Sequence, residues 1–124
     1  MHRIRNALCT LLAGAGVAMC APVLAQDAAA GKTAFAQCSV CHSTDGTNGV
    51  GPSLKGVVGR KAGTFAGFRY SRAMKNANIV WDEKELDAYA ADPQRTVPGN
   101  VMPFSGIADA VQRAGLIEYL KTLQ

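Results

Sequence analysis

Histidine and cysteine are scarce in this chain of 124 residues, which has two histidines and four cysteines. The first 25 residues, which we expect to be removed, hold one of the histidines and two of the cysteines. The cysteine and histidine residues that remain are Cys38, Cys41 and His42. With one cysteine pair left, no further structural disulfide is available. A zinc site needs four ligands, so it would have to recruit a carboxylate as the fourth.

Other familiar patterns are also absent. The sequence has no internal repeat, no low-complexity tract and no phosphate-binding glycine loop. It lacks the alternation of strand-like and helix-like segments that builds parallel α/β domains, which excludes that class. The apolar run at residues 7–19 is shorter than the about 20 residues that span a membrane. The basic residues come with no nucleic-acid recognition motif, so we expect no nucleic-acid partner.

The N-terminal segment has the pattern of a secretory signal peptide. A basic start at residues 2–5 precedes the apolar run, and small or apolar residues at 23–25 stand before Gln26. We therefore predict a signal peptide at residues 1–25 and one functional domain at residues 26–124. An uncleaved membrane anchor is the alternative.

The central motif is Cys-Ser-Val-Cys-His at residues 38–42. It matches C-x-x-C-H, the pattern of covalent haem attachment. Two thiols a turn apart can each form a thioether with one porphyrin, and the next histidine becomes an axial ligand of the iron. A thioredoxin-type redox disulfide is the alternative, but it requires a preceding buried strand, whereas an alanine-rich segment precedes Cys38.

The second axial ligand must come from elsewhere. Once the signal peptide is removed, His42 is the last histidine, so ligation by two histidines is excluded. Two methionines remain, Met74 and Met102. A thioether is a soft ligand that raises the reduction potential of haem iron. We predict Met102 as the second ligand, because it lies in a proline-bounded loop that can reach across the haem. The alternatives are Met74 as the ligand or a site that stays open.

Helical patterns flank a long irregular stretch. We predict helices over residues 28–37, capped by Asp27, over 82–91, capped by Asp82, and from Asp109 to the end, with a short one after Ser71. Residues 43–80 show little periodicity and many glycines. Such a stretch normally argues against a compact domain, but loops can pack against the apolar faces of a haem. The prediction is an all-α fold in which helices and long loops surround one covalently attached haem.

These features together resemble the class I c-type cytochromes, in particular the mitochondrial-type cytochrome c and its bacterial relatives. The resemblance covers nearly all of residues 28–123. Its motifs beyond C-x-x-C-H are G-P-S-L at 51–54, G-R-K at 59–61, G-F-R-Y-S at 67–71, Trp81, P-G-N-V-M-P-F at 98–104 and L-I-E-Y-L at 116–120.

The resemblance implies a role for each matched residue. Cys38 and Cys41 would carry the thioethers, and His42 and Met102 would bind the iron. The carbonyl of Pro52 would orient the His42 ring. The remaining matched residues would surround the haem: Arg60, Tyr70 and Trp81 at the propionates and Tyr89 near the Met102 sulfur. A further group would form the crossing of the first and last helices: Gly31, Phe35, Leu116 and Tyr119.

Three positions depart from the family's usual pattern. Asn100 replaces the usual threonine, although its amide can still donate a hydrogen bond. Val101 stands where mitochondrial members usually carry a lysine beside the ligand methionine. Met74 occupies a position that is commonly asparagine. The usual docking ring of lysines is therefore incomplete here.

The expected function is that of a soluble, monomeric, periplasmic carrier of single electrons, not an enzyme. The resemblance implies a quinol–cytochrome c oxidoreductase as donor and a terminal oxidase, photosynthetic reaction centre or peroxidase as acceptor. Residues 55–75 contain six basic residues and no acidic ones, whereas residues 82–92 contain five acidic residues and one lysine. This asymmetry would orient docking onto an acidic partner, or the two stretches are simply solvated faces.

Two alternatives to the free carrier remain. One is a haem protein that binds a small ligand, such as a gas sensor or peroxidase, at a labile sixth position. The sequence offers no distal histidine or arginine for that chemistry. The other is a dedicated subunit of one periplasmic dehydrogenase, which would purify as a stable complex.

Overall fold

A computed structural model describes the backbone of residues 23–124 and the side chains of residues 28–124. Five helices follow one another along the chain: α1 (Val23–Phe35), α2 (Arg72–Lys75), α3 (Glu83–Ala91), α4 (Pro93–Thr96) and α5 (Ala110–Lys121). The described residues form no β-strand, and Lys61 and Val80 make an isolated antiparallel bridge. The predicted all-α class is confirmed.

The N-terminal predictions are tested only in part. Residues 1–22 of the predicted signal peptide lie outside the described residues, so the signal peptide stays a prediction. None of the described helices is long and apolar enough to cross a bilayer. The prediction that Asp27 caps the first helix is wrong, because α1 begins at Val23. Leucine, alanine and glutamine, which occupy residues 24–26, are strong helix formers and allow this earlier start.

The first and last helices cross at a pair of glycines. A Cβ atom on Gly31 would overlap the backbone carbonyl of Gly115 and lie 2.9 Å from the Cβ of Tyr119. The rings of Phe35 and Tyr119 pack beside this point with their centroids 5.2 Å apart. Leu116 is buried at the same interface. The predicted crossing is confirmed, and it fixes the end of α1 from which the C-x-x-C-H segment continues.

Three predicted helix starts are confirmed by their caps. The side chains of Ser71, Asp82 and Asp109 each accept a hydrogen bond from the backbone N–H three residues later, at 3.1, 2.8 and 2.9 Å respectively. Each bond satisfies a donor that has no partner inside its helix. The helix after Asp82 ends at Ala91, before Asp92 and Pro93, as predicted.

Helix α4 was not predicted. Asp92 accepts a hydrogen bond from the backbone N–H of Arg95 at 3.0 Å, and Pro93 occupies the first helical turn. Proline fits there because the first N–H groups of a helix have no intrahelical partner. The Asp-Pro pair therefore ends α3 and begins α4.

The segment between α1 and α3 is mostly irregular, as the lack of periodicity predicted. The buried apolar side chains come from this segment, from the helices and from the loops that follow them: Ala34, Phe35, Val57, Ala62, Trp81, Leu86, Val97, Ile107, Leu116, Ile117 and Leu120. Seven of these eleven side chains line a central cavity.

Candidate haem-binding site

A cavity of about 410 Å³ is lined by residues that range along the chain from Phe35 to Leu120. Apolar side chains from the core make up much of its wall. All ten residues selected from the sequence line this one cavity: Cys38, Cys41, His42, Pro52, Arg60, Tyr70, Trp81, Tyr89, Asn100 and Met102. Met74 lines it as well.

The two cysteines lie in tight turns that continue α1. The backbone N–H of Cys38 donates to the carbonyl of Phe35 at 2.8 Å, and that of His42 donates to the carbonyl of Cys38 at 3.0 Å. These turns bring both thiols to the cavity wall, where both are free. Cys38 and Cys41 are therefore available for two bonds to one group held in the cavity.

The surroundings of the thiols count against the other chemistries. Burial raises the pKa of the Cys38 thiol, and the neighbouring Cys41 adds to the rise. A thioredoxin-type thiol has a lowered pKa instead. Within residues 28–124, no three histidine, cysteine or acidic side chains are grouped so that they could hold a metal ion. The hypothesis of a structural zinc site therefore lacks a fourth ligand in this part of the chain.

The His42 ring is held by the segment that follows the motif. Its Nδ1 lies 2.7 Å from the carbonyl oxygen of Pro52. A carbonyl only accepts, so Nδ1 carries the proton and Nε2 of the neutral ring keeps its lone pair. Gly51 lies against the ring, since a Cβ there would be 2.7 Å from Nδ1 and 2.9 Å from Nε2. The ring is thus held in a fixed position, and Nε2 is the nitrogen that its neutral form can offer to a metal.

Ser53 holds the loop that carries Pro52, a role that the sequence analysis missed. Ser53 is fully buried. Its hydroxyl accepts from the backbone N–H groups of Gly46 and Lys55 at 3.0 and 3.2 Å, and donates to the carbonyl of Ser43 at 3.3 Å. The G-P-S-L motif contained this serine, but its partners become neighbours only in the folded loop.

Arg60 is directed into the same loop. Its guanidinium donates to the carbonyls of Ser53 and Lys55 at 3.0 and 3.1 Å, and stacks on the ring of Phe65 with 4.6 Å to the centroid. Burial lowers the pKa of Arg60. A half-buried cation of this kind is a suitable neighbour for an anionic group at the edge of the cavity.

Three aromatic side chains selected from the sequence line the cavity wall. Tyr70 accepts a hydrogen bond from the backbone N–H of Phe65 at 3.1 Å through its hydroxyl oxygen. Trp81 is buried, and its ring packs on that of Tyr89 with centroids 4.9 Å apart. Burial raises the pKa of Tyr89 to about 12, so its hydroxyl stays protonated and can donate at neutral pH.

The sulfur of Met102 has a defined polar neighbour. The Tyr89 hydroxyl donates to the Met102 sulfur at 3.8 Å. The backbone N–H of Met102 donates to the side-chain oxygen of Asn100 at 3.0 Å. Both contacts fix Met102 on the cavity wall, whereas Met74 lies there as part of α2.

The loop before Met102 is held by Asn100. Its side-chain amide donates to the carbonyls of Pro93 and Val97, both at 2.9 Å. Both amide hydrogens are therefore used inside the protein, and Asn100 positions the loop instead of donating to a bound group. Gln94, which the sequence analysis missed, adds a hydrogen bond from its side chain to the Asn100 carbonyl at 2.8 Å. No local pattern in the sequence marked it.

The side chains present fit a covalently attached haem. An apolar cavity, two free thiols on its wall, an imidazole held through Nδ1 and a thioether sulfur are the groups that a c-type haem requires. Gly51 leaves room beside the imidazole that any side chain would fill.

Comparison with known proteins agrees with this chemistry. The family model described as cytochrome c matches residues 28–124. The chain is similar to cytochrome c2 iso-2 of Magnetospirillum fulvum, with 50% identity over 91 residues, which is 73% of this chain and 95% of that protein. It is similar to cytochrome c2 of Blastochloris viridis, with 47% identity over 103 residues, 82% of this chain and 81% of that one.

A solved structure extends the likeness to three dimensions. Cytochrome cH from Methylobacterium extorquens superimposes with a TM-score of 0.75 and 49% sequence identity, over 77% of this chain and 98% of that one. The predicted small cytochrome c fold is thereby confirmed. The chain belongs to the cytochrome c family of electron-transport proteins and carries one covalently bound haem c.

Proposed function

We propose that this protein is a periplasmic carrier of single electrons in which His42 and Met102 would bind the haem iron. The observation that carries the proposal is the pair of contacts that orient these side chains. The Pro52 carbonyl accepts from His42 Nδ1, which makes Nε2 the nitrogen that can bind iron, and the Tyr89 hydroxyl donates to the Met102 sulfur. Cys38 and Cys41 supply the two thioether bonds.

The chain's contribution to electron transfer is to hold geometry. The haem, when bound, supplies a one-electron iron couple. Asn100 and Tyr89 keep Met102 in place from its backbone and from its sulfur. Ser53 keeps the Pro52 segment in place beneath His42. With both ligands restrained, the two oxidation states share nearly one arrangement of the protein, which favours transfer through space without binding or cleaving a substrate.

We assign the propionates to the part of the cavity wall that carries Arg60 and Tyr70. Arg60 is half-buried there and Tyr70 uses its hydroxyl oxygen as an acceptor, which leaves the O–H of Tyr70 to donate. Trp81 completes this wall. Such groups would hold the two carboxylates and moderate their charge.

The partners follow from the family and from charge. We assign a quinol–cytochrome c oxidoreductase as donor and an oxidase, reaction centre or peroxidase as acceptor. The relatives named cytochrome c2 support a carrier instead of an enzyme. A free, monomeric carrier in the periplasm accounts for the predicted signal peptide and for haem attachment outside the cytoplasm.

The test is the absorption spectrum of the ferric protein, with Met102→Ala and Met74→Ala as a matched pair. Sulfur ligation gives a weak red charge-transfer band. We expect the band in the parent and in Met74→Ala and its loss in Met102→Ala, because only Met102 has a sulfur held by Tyr89.

Two outcomes contradict the proposal. Loss of the band in Met74→Ala alone would make Met74 the ligand. A parent protein that lacks the band and binds carbon monoxide readily when reduced would have an open sixth position, which is the property of the ligand-binding alternative.

A further inference from the structure

Asn48 is the one asparagine of the chain that is followed by glycine. The pair lies in the loop between the C-x-x-C-H motif and Pro52, where Asn48 is half-buried and Gly49 is exposed. An asparagine in such a pair can react with its own backbone, because glycine has no Cβ that hinders the approach of its amide nitrogen to the neighbouring side chain. The pair is therefore the position in this chain where spontaneous deamidation meets the least steric hindrance.

The reaction needs water as its only other reactant. The backbone nitrogen of Gly49 loses its proton and attacks Cγ of Asn48, so that a new C–N bond closes a five-membered succinimide. The bond from Cγ to the side-chain nitrogen breaks, and that nitrogen takes up a proton and leaves as ammonia. One water molecule then opens either carbonyl of the succinimide, which gives aspartate or isoaspartate.

In the folded protein, hydrogen bonds hold both reacting groups. The side-chain oxygen of Asn48 accepts from the backbone N–H of Ser53 at 3.2 Å, and its Nδ2 donates to the carbonyl of Ala66 at 2.9 Å. The N–H of Gly49 donates to the carbonyl of Gly51 at 3.0 Å. Attack requires the side chain to turn towards Gly49 and the N–H to be free, so all three bonds must open first.

The same amide joins two loops that are distant in sequence. Asn48 and Ala66 are 18 residues apart. Gly67 packs against this contact, since a Cβ there would lie 3.4 Å from Asn48 Nδ2. A carboxylate can only accept hydrogen bonds, and so can a carbonyl. A carboxylate in place of the Asn48 amide would therefore face the Ala66 carbonyl as a second acceptor, and the connection between the loops would be lost.

We propose that the Asn48–Gly49 pair is a deamidation site that the fold keeps unreactive and that becomes reactive when the loop of residues 43–51 opens. The product cannot restore the hydrogen bond to Ala66, so a molecule that has reacted once stays less stable. Isoaspartate also adds a carbon to the main chain beside Gly49, in the loop that carries Gly51 against His42. This inference does not depend on which side chain is the second axial ligand.

The experiment follows deamidation by mass spectrometry in the purified holoprotein. The protein is kept in buffer or in guanidinium chloride, at the same pH and temperature, and is then digested with trypsin. The peptide of residues 33–55 contains Asn48 as its one asparagine. The peptide of residues 76–84 is the internal control, because it contains Asn76 and Asn78, both exposed and followed by alanine and isoleucine.

In denaturant we expect Asn48 to react faster than Asn76 and Asn78, and Gly49→Ala to slow its reaction severalfold. In buffer, each hydrogen bond that must open slows the reaction about fivefold, so the three together slow it roughly a hundredfold relative to denaturant. The rates at Asn76 and Asn78 should differ less between the two conditions, because both residues are exposed.

A second measurement tests the consequence of the reaction. Denaturant unfolding compares the parent holoprotein with Asn48→Asp and with Asn76→Asp, the matched control that adds the same charge at an exposed position. We expect Asn48→Asp to raise the unfolding equilibrium constant about tenfold, and Asn76→Asp to change it by about twofold at most. Parent protein that is deamidated in denaturant and then refolded gives the same comparison if Asn48→Asp does not yield holoprotein.

Three results would overturn the inference. Equal rates at Asn48 in buffer and in denaturant would show that the three hydrogen bonds do not restrain the reaction. A rate at Asn48 in denaturant no higher than that at Asn76 would remove the role of Gly49. Equal stability of Asn48→Asp and Asn76→Asp would show that the amide does not join the two loops. The red band of the ferric protein reports on iron ligation separately from all three.

Discussion

Replacing Gly51 with alanine tests whether the His42 ring is fixed from both sides. The backbone at Gly51 is not in the left-handed region, so alanine is allowed there and space alone decides the result. The new Cβ would lie 2.7 Å from Nδ1 and 2.9 Å from Nε2. The ring carbon Cε1 would lie closer still. Carbon atoms are comfortable at about 3.5 Å, so the ring must withdraw by roughly 1 Å.

That movement is opposed by the hydrogen bond to Pro52. Since Gly51 and Pro52 are neighbours, the ring withdraws from both, and the Nδ1–O distance of 2.7 Å lengthens beyond the useful limit of about 3.2 Å. Overpacking costs about 1–3 kcal/mol, and the lost hydrogen bond costs about 0.5–1.5 kcal/mol. We expect Gly51→Ala to lower the free energy of unfolding by about 2–4 kcal/mol.

Denaturant unfolding of the holoprotein measures this loss, with Gly49→Ala as control. Gly49 lies in the same loop, is exposed, and would place its Cβ 3.3 Å from the Cys41 carbonyl. Both changes restrict the unfolded chain equally, by about 0.4–1 kcal/mol, so that effect cancels. Equal stability of the two variants, with unchanged spectra, would refute the idea that Gly51 is required by the histidine.

Three further predictions concern side chains around the ligand loop and α5. Burial raises the pKa of Tyr89 to about 12, so its contribution to the free energy of unfolding is full below about pH 10 and falls between pH 10 and 12 by up to about 1.4 kcal/mol per pH unit. Tyr89→Phe should flatten that fall when unfolding is measured across this pH range, and an identical slope would contradict the prediction. Asn100→Ala leaves buried backbone groups without partners, so we expect the free energy of unfolding to fall by about 2–4 kcal/mol and the red band to weaken. A variant as stable as the parent, with the full band, would be inconsistent with the role of Asn100 in holding the loop. Arg113 forms an ion pair with Asp87 and also donates to two backbone carbonyls. In thermal unfolding, Arg113→Met should therefore cost about 1–3 kcal/mol of stability, whereas Asp87→Asn should cost under about 1 kcal/mol; the reverse order would show that the ion pair dominates.

The parts of the fold that the sequence predicted are those that depend on neighbouring residues. A cap is a contact between a side chain and a backbone group three residues away, and the caps at Ser71, Asp82 and Asp109 are confirmed. The bridge between Lys61 and Val80 joins residues far apart in sequence, and no local pattern marks it. Helix α4 was missed because Asp92 and Pro93 were interpreted only as the end of α3, although they also cap and begin the next helix.

The residues of the candidate site were likewise predicted where a local motif marks them and missed where their role depends on contacts made in the folded chain. The motifs indicated which side chains would face one cavity, and all ten line it. They did not indicate how Asn100 is used, since its amide meets the carbonyls of Pro93 and Val97 only after α4 has formed. Nor did they indicate Gln94, whose partner is a backbone carbonyl six residues away.

The contacts that hold the two proposed ligands share one physical property, which bears on their function. A backbone carbonyl holds His42, a phenol holds the Met102 sulfur, and a carboxamide holds the Met102 backbone. None of these groups is charged, and Tyr89 stays neutral far above physiological pH. None of these three hydrogen bonds would have to exchange a charged partner when the oxidation state of a bound haem changes. A site built from neutral hydrogen bonds therefore needs little rearrangement on reduction, which is the property that an electron carrier requires.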